Sequence, residues 1–316
     1  MHVRKLGRDG PEISVIGHGA WEAGGDMWGS PVEDQVVLDA MYAALDAGVN
    51  WIDTAEAYGD GASERLVGRV AKERPGDVLI FTKVAHFASG ARPEDVRRAI
   101  VASLDRLGVD VVDLYQIHWP AEHVVPVEET WGAMAELVDE GLARHIGVSN
   151  FDRSLIERCL TIRHVDSVQN QYSVLHAEDG DSLLPWLQEQ EIGYLAYGPL
   201  AFGLLGGTMT PQTTFDDADW RSGGSWQLGY YQDLFAPEAF TRSLRRVDRL
   251  RPIADRMGLR VPALALAAAV ATPGVTGAIV GSRRPAHVRD NAAVGEMILS
   301  EDVLAEIMDA MDLKDE

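Results

Sequence analysis

The chain has 316 residues, of which 46% are hydrophobic and 24% charged, the composition of a globular protein. Its 49 acidic and 28 basic residues give a formal net charge of −21. Such a surface repels nucleic acid and anionic membranes, so we expect neither as a partner. The one cysteine, Cys159, excludes an intrachain disulfide, and the first ten residues lack the apolar core of a signal peptide. Both observations predict a cytoplasmic protein.

Short β-branched segments alternate with amphipathic helical segments along most of the chain. Residues 4–6 and 13–16, separated by Gly10 and Pro11, predict a small hairpin. Eight strands are then predicted, at residues 18–21, 51–54, 78–83, 112–118, 145–149, 167–171, 194–197 and 278–281. This alternation predicts an α/β fold, a (β/α)8 TIM barrel that forms a single domain over residues 1–316.

The alternation is interrupted once, after the seventh barrel strand. Residues 199–238 are rich in Gly, Thr and Asp and include four aromatic side chains: Trp220, Trp226, Tyr230 and Tyr231. A loop of this length is usually functional, and its aromatic content predicts that it docks against the barrel. Helices predicted at residues 240–257, 262–270 and 301–311 give the carboxyl-terminal part more helices than a simple alternation needs.

Four polar residues lie where predicted strands end, namely Asp53, Tyr58, Lys83 and His118. In a TIM barrel the carboxyl ends of the strands carry the active site. A cation lowers the pKa of a nearby phenol, which can then donate a proton to a carbonyl oxygen. Taken singly, Asp53 could be a helix cap, Lys83 a strand-end lysine and His118 a core histidine. Their occurrence on successive strands favours a site, with Asp53 as the counter-charge of Lys83.

Several stretches resemble the aldo-keto reductase superfamily over nearly the full length of the chain. They are residues 51–59, 103–107, 113–120, 147–151, 169–172 and 197–200. Residues 219–221 and 281–283 resemble the bacterial general-stress-protein and potassium-channel β-subunit branch of that superfamily. The resemblance implies that Tyr58 donates the proton, that Lys83 lowers its pKa, that Asp53 holds Lys83, and that His118 orients the carbonyl oxygen.

The resemblance also implies NADPH as the cofactor, with NADH less favoured. No metal is expected, because His118 and His123 have no further metal ligands at a suitable spacing. The cofactor-binding residues that the resemblance implies are Trp21, Asp53, Ser149, Asn150, Gln171, Tyr197, Gly198, Pro199, Leu200, Gly203, Leu205, Gly281, Ser282, Arg283, His287 and Asn291. Among these, Ser282 and Arg283 would hold the adenosine 2′-phosphate. Three positions depart from relatives: Gly198 stands where many of them carry serine, and some branches of the family have lysine in place of Gly281 and arginine in place of His287. The last two losses weaken the expected preference for NADP over NAD.

Trp21, Phe87, Trp119 and Trp220 are expected to line an apolar pocket for the carbonyl substrate, although Trp119 could equally belong to the core.

Together these residues and the resemblance predict an NADP(H)-dependent reductase of aldehydes or ketones, among them sugars and small reactive carbonyls. An alternative function has the same fold and cofactor. In it the chain is a regulatory or redox-sensing module of the channel β-subunit type, with slow catalytic turnover. A third possibility is another barrel enzyme, such as an isomerase.

Overall fold

The computed structural model describes residues 1–223, 231 and 234–311. Within them, eight parallel strands close into a barrel with the expected (β/α)8 architecture, preceded by a two-stranded antiparallel hairpin. The hairpin strands are β1 (Val3–Lys5) and β2 (Glu12–Ser14). The barrel strands are β3 (Ile16–Gly19), β4 (Trp51–Asp53), β5 (Leu79–Val84), β6 (Val112–Ile117), β7 (Ala143–Ser149), β8 (Ser167–Gln171), β9 (Gly193–Tyr197) and β10 (Gly277–Val280).

Helices surround the barrel, and most of them bury apolar side chains against its outer wall. The helices at Pro237–Met257 and Glu301–Met311 instead contribute to a separate apolar cluster. In chain order the helices are α1 (Asp34–Asp46), α2 (Ala62–Glu73), α3 (Pro93–Leu107), α4 (Val127–Asp139), α5 (Arg153–Leu160), α6 (Asp179–Glu189), α7 (Pro237–Met257), α8 (Val261–Ala271), α9 (Pro285–Val294) and α10 (Glu301–Met311). Helix α3 illustrates their local chemistry. Pro93 suits its first turn, and Gly108 ends it in the left-handed conformation at φ 67°. No helix in the described part of the chain combines the length and apolarity that crossing a membrane requires.

The amino-terminal boundaries differ from those predicted. Ile16 was assigned to the hairpin, but it pairs with Ala278 and opens the first barrel strand. That strand ends at Gly19 instead of Trp21, because residues Trp21–Gly24 form a 3-10 helix closed by Gly25 at φ 79°. Trp21 is therefore a loop residue above the barrel. The final helix, in contrast, has the predicted bounds of 301–311.

The barrel interior has two layers made by the same strands. The side chains of Trp51, Phe81, Leu114, Leu195 and Ile279 point inward and form an apolar floor together with Leu6 and Ile13 of the hairpin segment. Burial of each large apolar side chain contributes about 1.5–3 kcal/mol. Two residues further along three of these strands lie Asp53, Lys83 and Gln116, all buried. Because side chains alternate with a period of two, the floor residue and the polar residue of each strand point to the same, inner face of the barrel.

The described part of the loop after β9 docks against the barrel, as predicted from its aromatic residues. It contains 3-10 helices at Ala201–Gly206 and Trp220–Ser222. Asp219 forms an antiparallel bridge with Trp28, which belongs to the loop after β3. Trp220 is fully buried. Trp226 and Tyr230 lie outside the described residues.

Candidate active site

The structure brings Asp53, Tyr58, Lys83 and His118 together at the carboxyl ends of β4, β5 and β6. The ammonium Nζ of Lys83 donates to Asp53 Oδ1 at 2.5 Å and to the backbone oxygen of Thr54 at 2.8 Å. It also lies 5.2 Å from the ring centroid of Tyr58. The ring of Tyr58 faces that of His118 edge-on, at 5.6 Å between centroids. Asp53 is therefore the partner of Lys83, as expected from the sequence.

The second carboxylate oxygen of Asp53 is held by two glutamines that the sequence analysis did not single out as functional. Gln169 Nε2 donates to Asp53 Oδ2 at 2.8 Å, and Gln116 Nε2 does so at 3.5 Å. Both glutamines are buried inside the barrel. The available signal was a glutamine at an inward position of a predicted barrel strand, since a buried amide needs a hydrogen-bond partner.

The protonation of Lys83 and Tyr58 follows from burial and from the ion pair. Burial lowers the pKa of Lys83, whereas the Asp53 carboxylate opposes this and favours the ammonium form. Burial raises the pKa of Tyr58 well above its ordinary value, and the charges of Asp53 and Tyr231 raise it further. The net direction is therefore opposite to the lowered tyrosine pKa expected from the sequence, because burial is the largest influence and the charge of Asp53 acts in the same direction. Tyr58 consequently stays protonated at neutral pH.

His118 is a neutral imidazole. Burial holds its pKa well below the ordinary value, and the charges of Lys83 and His86 lower it further. Its backbone is fixed on both sides, because its amide donates to the carbonyl of Val84 at 2.9 Å and its carbonyl accepts from Asn150 Nδ2 at 2.9 Å. The ring Nδ1 is buried without a hydrogen-bond partner among the described residues. A neutral ring in this position can donate one hydrogen bond to a carbonyl oxygen.

Of the three residues expected to bind a nicotinamide carboxamide, only one has an unused donor within the described structure. Ser149 Oγ donates to the carbonyl of Gln169 at 2.7 Å, and Asn150 Nδ2 donates to the carbonyl of His118 at 2.9 Å and to Ser149 Oγ at 3.1 Å. Gln171 is buried, and its Nε2 has no partner there. A buried unpaired amide is costly, so its presence favours a polar ligand at this point. The site therefore fits a carboxamide group.

Aromatic rings surround the opening above Tyr58. Trp21 stacks on Tyr58 at 6.2 Å and on Trp220 at 6.0 Å between centroids. Because Trp220 is fully buried, it supports Trp21 from behind and does not itself form the pocket surface. Phe87, 62% exposed, lies at the rim, with its ring 6.1 Å from that of His118.

Tyr231, from the long loop, reaches the same opening and was not among the expected pocket residues. Its hydroxyl lies 2.5 Å from that of Tyr197, and its ring lies 6.5 Å from that of Trp119. Trp119 is partly exposed as a residue and is not among the fully buried core residues, so it lies at the opening.

The segment expected to lie across a pyrophosphate follows β9, and its backbone amides are largely engaged. Gly198 has φ 64° and is followed by the buried Pro199. The amides of Gly203 and Leu205 both donate to the carbonyl of Leu200, at 3.0 and 3.1 Å. Leu205 is fully buried among helix side chains. These two amides are thus committed to the turn, and Leu205 supports the loop from below.

The segment after β10 places Ser282 and Arg283 at the amino end of α9. The Arg283 guanidinium donates to the backbone oxygens of Trp28 at 2.9 Å and Ser30 at 3.3 Å. Its Nε lies 3.6 Å from Glu22 Oε2. Arg283 therefore already holds the loop after β3, an arrangement that the sequence did not indicate.

The other residues of this segment differ in exposure. Asn291 is partly buried on α9, whereas His287 is exposed, as are Arg284 and Arg289. Gly281 allows a close backbone approach, because a Cβ atom there would lie 2.8 Å from the carbonyl oxygen of Gly19. No cluster of three or more His, Cys, Asp or Glu side chains suited to a metal ion occurs within the described ranges.

Comparison with known proteins gives relatives over nearly the whole length. The chain is 35% identical over 300 residues to the aldo-keto reductase YhdN of Bacillus subtilis, covering 91% of this chain and 87% of that protein. It is 30% identical to an NADH-specific methylglyoxal reductase of Escherichia coli, with 94% of each chain covered. It is 29% identical to a probable voltage-gated potassium channel subunit beta of Arabidopsis thaliana, covering 94% of this chain and 92% of that one.

Solved structures agree with the sequence comparisons. The glycerol dehydrogenase AKR11B4 from Gluconobacter oxydans superposes with a TM-score of 0.84 at 30% identity, covering 98% of this chain and 94% of that one. An aldo-keto reductase from Klebsiella pneumoniae in complex with NADPH gives a TM-score of 0.74 at 30% identity, covering 97% and 94%. The model of the Aldo/keto reductase family matches residues 15–312. The chain therefore belongs to the aldo/keto reductase family.

Proposed function

We propose that this chain is an NADP(H)-dependent reductase that converts aldehydes or ketones to alcohols, with Tyr58 as the general acid. The observation that carries the proposal is the convergence of a protonated Tyr58, a neutral His118 and the Lys83–Asp53 ion pair at one end of the barrel. This arrangement supplies a proton donor, a second hydrogen-bond donor and a fixed positive charge around a single opening. These groups are suited to an oxygen atom on which negative charge develops.

The nicotinamide, when bound, would supply the hydride to the carbonyl carbon. The phenol of Tyr58 would then transfer its proton to the carbonyl oxygen. His118 would hold that oxygen by a hydrogen bond, since its imidazole is neutral and its backbone is fixed by Val84 and Asn150. Lys83 would stabilise the phenolate that Tyr58 becomes, because the ammonium lies 5.2 Å from the ring centroid.

The chain's own residues supply cofactor contacts at both ends of the proposed groove. Gln171 Nε2 is the unpaired donor for the carboxamide, and the hydroxyl of Ser282 with the guanidinium of Arg283 would face the 2′-phosphate. The Klebsiella relative binds NADPH, whereas the Escherichia coli relative is NADH-specific. Cofactor preference therefore varies among relatives of this chain, and the contacts of Arg283 bear directly on it.

The proposal is tested with a panel of aldehydes, ketones and sugars, each assayed with NADPH and with NADH by following nicotinamide absorbance. We expect turnover with at least one small carbonyl and a higher kcat/KM with NADPH. The similarity to a probable potassium channel subunit beta favours one other function, a cofactor-binding regulatory module. Tight cofactor retention with negligible steady-state turnover on every substrate class would support that module and contradict the reductase.

A further inference from the structure

The contacts of Arg283 bear on cofactor choice. All three nitrogen atoms of its guanidinium face the loop after β3: Nη2 reaches the carbonyl of Trp28, Nη1 that of Ser30, and Nε the carboxyl of Glu22 at 3.6 Å. The side chains of Arg283 and Glu22 are only 24% and 23% exposed, respectively. The cation expected to attract a 2′-phosphate is thus already opposed by a carboxylate.

The carboxyl group of Glu22 is held close to the guanidinium of Arg283. Glu22 follows Trp21 in the 3-10 helix above the barrel, and Gly281 lies beside it, because a Cβ atom on Gly281 would lie 3.7 Å from Glu22 Oε1. Burial raises the pKa of this carboxyl, while Arg283 and Arg221 oppose that rise. Arg221 is itself paired in a two-point contact with Asp219. Arg283 is therefore the cation that Glu22 neutralises most directly.

A 2′-phosphate carries about −1.5 to −2 charges at neutral pH, whereas NADH has a hydroxyl at that position. An ionised Glu22 repels the phosphate and occupies one face of its binding partner, but it has no comparable effect on the hydroxyl. We propose that Glu22 determines the cofactor preference of this chain by competing with a 2′-phosphate for Arg283. This inference rests on the proposed function, since it requires that a nicotinamide dinucleotide binds here.

The test is a pair of charge-matched variants of the full chain, Glu22→Gln and Asp26→Asn. Both remove one negative charge from the loop after β3, but Asp26 makes no ion pair with Arg283 in the described structure. Dissociation constants for NADPH and NADH are measured by quenching of tryptophan fluorescence, and folding is checked by circular dichroism. We expect Glu22→Gln to bind NADPH about tenfold more tightly, with NADH changed by less than about twofold. Asp26→Asn should leave the ratio of the two constants unchanged.

A second variant, Glu22→Asp, keeps the charge but shortens the side chain, so it should move the ratio in the same direction by a smaller factor. An unchanged ratio in Glu22→Gln, or equal tightening of both cofactors, would overturn the role of Glu22. Equal tightening would mean that the carboxylate acts on the pyrophosphate common to both. If the unmodified chain binds neither cofactor, the proposed function is wrong; if it binds both and only the ratio fails to move, the inference about Glu22 alone is wrong.

Discussion

The side-chain amide of Gln169 donates to Asp53 Oδ2 at 2.8 Å, which is the carboxylate oxygen that Lys83 leaves free. The two residues are 116 positions apart in sequence, and both are buried. The Lys83–Asp53 ion pair is therefore not isolated inside the barrel, because both carboxylate oxygens of Asp53 accept a hydrogen bond. This arrangement permits sharp predictions about which substitutions alter chemistry and which alter stability.

Tyr58→Phe should abolish most of the reduction while leaving cofactor binding intact. The substitution removes the proton but keeps the ring that stacks with Trp21. We expect the rate of carbonyl reduction to fall by about 10²–10⁴-fold, the usual contribution of a positioned general acid. The NADPH dissociation constant, measured by fluorescence quenching, should stay within about twofold of the original value, the difference of one weak contact. Tyr42→Phe, on α1, is the matched control. A near-normal rate in Tyr58→Phe would remove this residue from the mechanism.

Lys83→Met should lower the activity and also destabilise the fold, because it leaves Asp53 buried without its cation. Loss of one partner of a buried ion pair costs about 3–5 kcal/mol in the free energy of unfolding. Adding Asp53→Asn removes the stranded charge and should recover most of that loss, while the activity stays low. Urea denaturation of the two single variants and the double variant measures the coupling. Additive losses would show that the two side chains are not energetically paired.

Gln171→Leu should make the protein more stable and worse at binding its cofactor. The buried Nε2 of Gln171 has no partner among the described residues, so an apolar side chain removes a desolvation cost. We expect a higher urea midpoint. NADPH and NADH should both bind roughly 3- to 10-fold more weakly, because the lost hydrogen bond serves the nicotinamide that they share. Gln35→Leu, on the exposed face of α1, should change neither quantity. Unaltered affinity for both cofactors would exclude Gln171 as a carboxamide ligand.

His18 should make the protein less stable in acid. Burial lowers its pKa to about 4, compared with an ordinary value of 6.5, so the unfolded chain binds the proton more tightly than the folded chain. The contribution of His18 to stability is therefore complete above pH 6.5 and is lost as the pH falls from 6.5 towards 4. Between pH 7.5 and pH 5 this loss amounts to about 2 kcal/mol.

Urea unfolding of the original chain and His18→Gln at these two pH values checks the prediction. The variant should show a pH dependence smaller by that amount. His287→Gln, at an exposed position of α9, should keep the original dependence. Equal pH dependence in the original chain and His18→Gln would contradict the proposed linkage.

Cys159 should be chemically inert in the folded protein. It is fully buried, and burial raises the pKa of its thiol to about 12, with the charge of Glu128 adding to the rise. Since the thiolate is the reactive form, an aromatic disulfide reagent should release no chromophore at pH 8 until urea unfolds the chain. Rapid release in buffer alone would mean that the helix carrying Cys159 opens readily.

The barrel and the group of Asp53, Tyr58, Lys83 and His118 could be predicted because their signals are local. Strand alternation and a polar residue at each strand end are visible within six to eight positions, and the resemblance reinforced them. The roles of Gln116 and Gln169 depend on how β4, β6 and β8 are aligned inside the barrel. The pairing of Glu22 with Arg283 joins two loops that come together only when β10 closes the barrel against β3. Neither the alignment of these strands nor the contact between these loops can be predicted from a short stretch of sequence.

The shared two-residue spacing of Trp51 with Asp53, and of Phe81 with Lys83, makes these strands intolerant of a change in length. One residue inserted between the members of either pair would turn the floor or the ion pair outward, because successive side chains point to opposite faces. One residue inserted ahead of both members within the strand would turn both side chains out of the barrel interior. Length variation that this barrel can accept is thus confined to the segments between strands, and those segments also hold Glu22, Tyr58 and Tyr231. Changes in loop length should therefore alter ligand choice while the buried ion pair is preserved.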